Sequence, residues 1–183
     1  MRKLLYTLPF ILIFTGCGSK QFYTLGDTSS VVANGNYTQG IAVEKVEVPK
    51  YLQDSEIVRQ TTPYHVVLVE DANWLTPMEK RLTNVLISYL QKSLNNPNVH
   101  LYPWDTNKEV TKRVSLKIKR FIAYKDNVQL EASYTIRDEQ SKKRETKLFS
   151  TKVATTQDVE GMMAAMEKAY FQLSDEIKTK ITN

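Results

Sequence analysis

Val128, Leu130, Ala132, Tyr134 and Ile136 alternate with Gln129, Glu131, Ser133, Thr135 and Arg137. A period of two predicts a strand with one wet face. From Asp158 onward the period changes. Val159, Met162, Met163, Met166, Tyr170, Leu173, Ile177 and Ile181 recur every three or four residues, which predicts an amphipathic helix. A second helix follows from Leu82, Val85, Leu86, Tyr89, Leu90 and Leu94, with Asn95, Asn96 and Pro97 as its stop. Thr76 reads as its N-cap, Pro77 as its first residue and Glu79 as the partner in a capping box.

Between these landmarks the pattern is β-like. Phe22–Leu25 is a short aromatic run, and Gly26 to Gly40 is a polar loop or lengthened tether. Ile41 to Val48 reads as a strand whose phase slips at Glu44 and Lys45, a bulge signal. Glu56 to Gln60 is the next strand. Tyr64 to Val69 is almost continuously apolar and is expected to be central and buried on both faces. Val99 to Tyr102 gives a short strand ending at Pro103 and Trp104. Val114, Leu116, Ile118, Ile122 and Tyr124 share one phase, with Arg120 as the exception, and open a meander. Turns at Asp126-Asn127 and Asp138 to Lys143 lead to its last strand, Glu145 to Val153. The expected fold is a single compact α/β (α+β) domain, a mixed sheet with two amphipathic helices packed on it.

The N-terminus belongs to another pattern. Arg2 and Lys3 precede an apolar run, Leu4 to Phe14, that is too short to span a bilayer. Thr15, Gly16, Cys17 and Gly18 follow, and Cys17 is the single cysteine. This is the layout of a bacterial secretory signal. The cysteine directly after the small residues resembles a lipobox, in which the cysteine sulfur receives lipid after cleavage. Residues 1–16 then form a signal peptide. Residues 17–40 carry the lipidated cysteine, the first strand and the loop, and 41–183 the rest of the domain, to which strand 22–25 also belongs. Two or more acyl chains anchor a protein stably where one does not. The lipid on Cys17 is the only attached group expected, with no cofactor or metal.

Composition narrows the chemistry. The formal charge of +5 loses Arg2 and Lys3 on cleavage, which leaves a mildly basic body suited to anionic headgroups or an acidic partner. Nucleic acid is set aside for an exported chain. His65 and His100 stand alone and lack zinc-ligand spacing. Glycine-rich phosphate loops and the G-x-S-x-G nucleophile turn are missing from the sequence. Glu70 and Asp71 read as a strand-end loop. The three methionines of the last helix share its core phase. Lys112, Arg113, Lys117, Lys119, Arg120, Lys142, Lys143, Arg144 and Lys147 offer a basic face, and a solvated surface is its default reading. Trp74 and Trp104 flank turns, where they either plug core edges or anchor a partner.

Several segments, in order, resemble the ABC-type transport auxiliary lipoprotein family. The lipobox cysteine is followed at once by Phe22–Leu25. Ile41 to Leu52 is similar to the family's V-x-V-x-x-V-x-V-P-x-Y-L stretch, and Ile57 to Arg59 to its next strand. Asn73 to Met78 resembles R-W-A-E-P-L, with Asn73 and Thr76 in place of the arginine and glutamate. Val99 to Trp104 resembles the strand ending in Y-P-W. The resemblance implies a fold like the N-terminal domain of TolB and a non-enzymatic lipoprotein facing the periplasm. Its implied partners are an MCE-domain protein and inner-membrane permease and ATPase components that move phospholipid between membranes. Homo-oligomer formation is also envisaged. Gly18 looks like an outer-membrane sorting residue. Tyr51, Leu52, Trp74, Pro77 and Trp104 are the candidate partner-binding residues. The competing class is an outer-membrane assembly factor or synthase activator with the same anchor. A lipid carrier with its own cavity is a third reading and an enzyme a distant fourth.

Overall fold

A computed structural model of the chain describes residues 19–103 and 109–183. Cys17 and Trp104 lie outside the described residues. The elements in order are β1 (Gln21–Tyr23), β2 (Ile41–Val43), β3 (Glu56–Thr62), β4 (His65–Trp74), α1 (Met78–Ser93), β5 (Val99–Leu101), β6 (Lys112–Ala123), β7 (Asn127–Asp138), β8 (Arg144–Ala154) and α2 (Val159–Thr182). They form the expected α+β arrangement, one eight-stranded mixed sheet with two helices.

β6 organises the sheet. One of its edges pairs antiparallel with β7 along its whole length, and β7 pairs with β8. The other edge is shared by the chain from Ile41 to Arg59, which runs parallel to it. β2 sits beside Lys112–Val114, Glu47 bridges to Lys117, and Arg59 reaches Ala123. β5 extends the sheet beyond β2. β4 and then β1 extend it beyond β3.

The slip read at Glu44 and Lys45 is a real break. β2 ends at Val43, and the released Val46 N–H donates to Thr83 Oγ1 on α1 at 3.0 Å. A second irregularity lies in β6 between Ile118 and Arg120. It corrects the expected phase of that strand. Beyond the bulge Phe121 and Ala123 take over the inward positions, while Tyr124 is only half-buried. One inserted residue moves every later side chain to the other face.

α1 covers the β2–β5 end of the sheet and α2 covers β6, β7 and β8. The predicted stripes are the buried faces: Leu82, Val85, Leu86, Leu90 and Leu94 on α1, and Met162, Met163, Met166, Tyr170, Leu173, Ile177 and Ile181 on α2. Tyr170 joins all three layers. Its ring stacks on Phe121 at 6.3 Å between centroids, and its hydroxyl donates to the Leu82 carbonyl at 2.8 Å. Asp158 caps α2 by accepting the Gly161 N–H at 2.7 Å. α1 starts differently from the capping-box expectation. Met78 is its first residue, and the preceding Pro77, which has no hydroxyl or carboxylate, supplies no side-chain cap. Glu79 pairs instead with Lys45 at 2.8 Å.

The polar stretch after β1 is a strap rather than a loose tether. Glu167 of α2 accepts the Gly26 and Asp27 N–H groups at 2.6 and 2.8 Å. Arg81 donates to the Leu25 carbonyl, and Lys92 to that of Thr28 at 2.6 Å. Gly26 has φ of +85°, and a Cβ there would collide with Val85, so glycine is required at this crossing.

β4 departs most from expectation. Its run from Tyr64 to Val69 is not buried on both faces: Tyr64 is 99% exposed, Leu68 66% and Val66 48%. Beyond Arg59, β3 and β4 have only each other as sheet neighbours. Ile57 and Val69 pack on the core at the base of this hairpin, and Arg59 Nη2 lies 3.7 Å from Met162 Sδ. A bulge at the base, with Asp71 at φ +54°, separates this arm from the buried end at Ala72 and Trp74. Glu70 and Asp71 therefore lie inside β4, not at its end.

Burial raises Tyr37, Tyr51, Tyr89, Tyr134 and Tyr170, with neighbouring carboxylates adding to it at Tyr89 and Tyr134. Desolvation pushes Tyr89 up to about 12, helped by Asp175. Desolvation also raises Tyr134, whose hydroxyl donates to Glu176, and Tyr170. The folded chain thus holds phenol protons more tightly than the unfolded one. That stability is complete below the ordinary tyrosine value of about 10 and is lost as pH rises through the shifted values. Alkaline titration is expected to show delayed tyrosinate absorbance that appears together with loss of helical circular dichroism.

Candidate functional site

The candidate residues that the structure describes do not converge on one surface. Tyr51 and Leu52 occupy a 3-10 turn, Lys50–Leu52, on the crossing from β2 to β3. Leu52 is in the core. Tyr51 is half-buried, and its hydroxyl accepts the Phe121 N–H at 2.9 Å. Phe121 follows the β6 bulge, where a backbone donor has lost its ladder partner, and buried donors need one. The P-x-Y-L segment is thus a device that holds β6 in its bulged form.

The W-x-x-P segment is structural in the same way. Trp74 ends β4 with its side chain 5% exposed, and it offers no surface to a partner. Its indole N–H is buried without a hydrogen-bond partner among the described residues. Pro77 is exposed, and its carbonyl accepts the Arg81 N–H at 3.0 Å in the first turn of α1. Trp74 was a candidate because it flanks a turn, and Leu52 because it closes the P-x-Y-L segment of the resemblance. The core claims them instead, since turns at sheet edges also cover the ends of the helix layer.

The basic face is largely neutralised. Lys112 pairs with Asp138 at 2.9 Å, Lys117 with Glu47 at 2.8 Å, Lys147 with Glu145 at 2.9 Å, and Arg120 lies 3.7 Å from Glu131. Arg113 Nε approaches Glu139 Oε1 at 2.9 Å, an ion-pair distance whose geometry falls short of a hydrogen bond. Arg113, Lys117 and Arg120 meet Glu139, Glu47 and Glu131 across the open sheet face and keep it solvated. The Lys112–Asp138 and Glu145–Lys147 pairs instead share the phase of Ile136 and Tyr134 on the helix side. Asp138 is held well below the usual carboxylate range by the Ser141 N–H and by Lys112. A small hollow of about 140 Å³ on this face is lined by Glu44, Arg113, Ser115, Thr135, Arg137 and Arg144.

The space between sheet and helices is filled. Phe121, Tyr134, Tyr170, Leu86, Leu90 and Met162 are all fully buried there. A larger hollow of about 470 Å³ lies outside the core and is lined by polar groups including Thr38, Asn98, His100 and Glu109. A shallow, mostly apolar hollow of about 460 Å³ lies between the end of β8 and the first turns of α2. Among the described residues there is no group of three or more histidine, cysteine, aspartate or glutamate side chains that could hold a metal ion. None of their helices is long and apolar enough to cross a membrane.

The exposed feature that sequence reasoning missed is the β3–β4 arm. On one face, Val58 stands opposite Leu68 and Gln60 opposite Val66. An uninterrupted apolar run indicates either a doubly covered strand or an apolar arm, and periodicity does not separate them.

The described residues form a single sheet with both helices on one face and a filled interior between them. The chain matches the family described as ABC-type transport auxiliary lipoprotein component over residues 23–178, and it belongs to that family. It is 31% identical over 102 residues to the intermembrane transport lipoprotein PqiC of Escherichia coli (strain K12), and equally to that of Shigella flexneri. The match takes in 51% of this chain and 53% of the relative, so the chain spans about half the length of the curated relatives it matches. Two crystal structures share the fold. One is of an uncharacterized protein (TM-score 0.71, 20% identity, 89% of this chain and 99% of that one). The other is protein XCC0632 from Xanthomonas campestris (TM-score 0.73, 15% identity, 86% and 92%).

Tyr51→Phe removes the acceptor of the Phe121 N–H and nothing else. It is expected to cost about 1–2 kcal/mol and to lower the urea midpoint without changing the slope. Pro77→Ala, at an exposed position, is expected to stay within about 0.5 kcal/mol of the parent in the same titration.

Proposed function

We propose that this protein is a non-catalytic accessory subunit of an intermembrane lipid transport system, tethered through a lipid on Cys17 and facing the periplasm. The observation that carries this reading is the family match, which takes in all but the first and last few residues of the folded body. The name of the relatives, intermembrane transport lipoprotein, agrees with it. The filled core supports a docking part over a carrier, because an acyl chain has no interior space to enter. In this reading the anchor fixes the domain at the outer membrane. The body docks the end of an MCE-domain assembly whose permease and ATPase lie in the inner membrane. Several copies around one such assembly would share the load, and no covalent chemistry is done.

Isolation of the tagged protein from gently solubilised envelopes tests this, with Cys17→Ala as the unanchored control. Co-purification of an MCE-domain protein with a permease and ATPase, lost or weakened in the control, is the expected result. Recovery of an outer-membrane assembly machine without them would replace the proposal with the assembly-factor reading.

A further inference from the structure

The β3–β4 arm and the N-terminal end of β1 lie on the same side of the body. β1 pairs in parallel with the base of β4, Gln21 beside Ala72 and Tyr23 beside Trp74. β4 runs from its tip at His65 to its base at Trp74. The N-terminal end of β1 therefore faces the tip of the arm, and the exposed Ser19 and Lys20 precede it on that side. Cys17 lies four residues before Gln21, a reach of at most about 14 Å. Leu68 lies four residues from Ala72 along β4, a span of the same order. A lipid on Cys17 thus holds the bilayer surface within reach of the level of Leu68.

The chemistry of the arm suits that surface. Its outward face carries Val66 and Leu68, and Tyr64 stands almost fully exposed at the turn. Apolar side chains beside a terminal tyrosine match the border between acyl chains and headgroups, where tyrosine presents an apolar ring and a wet hydroxyl. From Ile57 to Val69 there is no carboxylate, and the neighbouring Lys20 carries positive charge, while Arg59 turns inward to Met162. The first carboxylates an anionic headgroup layer would meet are Glu70 and Asp71, on the base side of Leu68. The tip extends about four residues, roughly 13 Å, past the last bridge to β6. It can therefore touch a surface that the rest of the sheet does not reach.

We infer that the tip of the β3–β4 hairpin, through Tyr64, Val66 and Leu68, seats in the surface of the bilayer that holds the lipid anchor. This gives the domain a fixed orientation on the membrane. The inference rests on the Cys17 anchor of the proposed function and adds a second, non-covalent contact to it. An acyl chain alone leaves a domain free to tumble about its tether. A second contact fixes which end of the sheet points away from the membrane, namely the end with the β7–β8 turn.

The full-length protein is expressed with Leu68→Cys or Gln140→Cys, and the mature form is purified from envelopes. Acylation caps Cys17, the single native cysteine, so the new thiol is the one site for an environment-sensitive fluorophore. Both positions are exposed, and Gln140 lies in the turn at the far end of the sheet. Each protein is reconstituted in phosphatidylethanolamine–phosphatidylglycerol vesicles with nitroxide-labelled acyl chains. The expected result is blue-shifted emission and nitroxide quenching at position 68, with aqueous emission and no quenching at 140. Acylated protein with aqueous emission at both positions overturns the inference and leaves the anchor standing. A probe at 68 that is shielded, unquenched by lipid and cross-linkable to a second copy overturns it in favour of an interface between copies. A mass without acyl chains overturns the anchor reading and the inference with it.

Discussion

Tyr170 is the point at which sheet, first helix and second helix are fixed to one another. Its ring lies on Phe121 of β6, and its hydroxyl takes up the Leu82 carbonyl of α1. A phenol removed from water needs its hydrogen bond, and an aromatic ring contributes far more area than an aliphatic residue. One side chain thus sets how α1 and α2 share the same sheet face. Phe121 is in position only because β6 bulges, and the bulge holds because Tyr51 accepts the Phe121 N–H. The family's P-x-Y-L segment and the buried face of α2 are therefore parts of one arrangement.

That arrangement leaves the opposite sheet face open. That face carries Arg113, Lys117, Glu131 and Arg137 with their ion partners, and the exposed Leu148 stands among them. The strap from Gly26 to Tyr37 closes the outer side of the helix layer through Glu167, Arg81 and Lys92. With one face wet, one face sealed and the interior filled, contact with other molecules falls to edges and projections. The β3–β4 arm is the projection that carries apolar residues.

Periodicity located most of this. The strands of the meander and both helix stripes lie where the alternation of Val128 to Ile136 and the spacing of Leu82 to Leu94 and Met162 to Ile181 put them. It failed where one inserted residue or one missing neighbour decides the outcome. The β6 bulge exchanged Ile122 and Tyr124 for Phe121 and Ala123, and its mark in the sequence was Arg120, the one exception in the apolar phase. Tyr64 to Val69 looked like a buried strand because hydrophobicity reports what a side chain prefers, not whether a covering layer exists. The Thr76 capping box failed because Pro77 took the cap position. Leu52 and Trp74 look the same whether they anchor a partner or seal a core.

The central proposal is a docking part whose filled core leaves no room for lipid, with lipid proposed on Cys17 rather than inside the fold. Native mass spectrometry of the mature protein released from envelopes in mild detergent measures this directly. The account predicts the chain plus its covalent acyl groups, with no further lipid held in fixed ratio. One phospholipid per chain that survives detergent exchange would contradict it, and would mean that sheet and helices part to form a carrier.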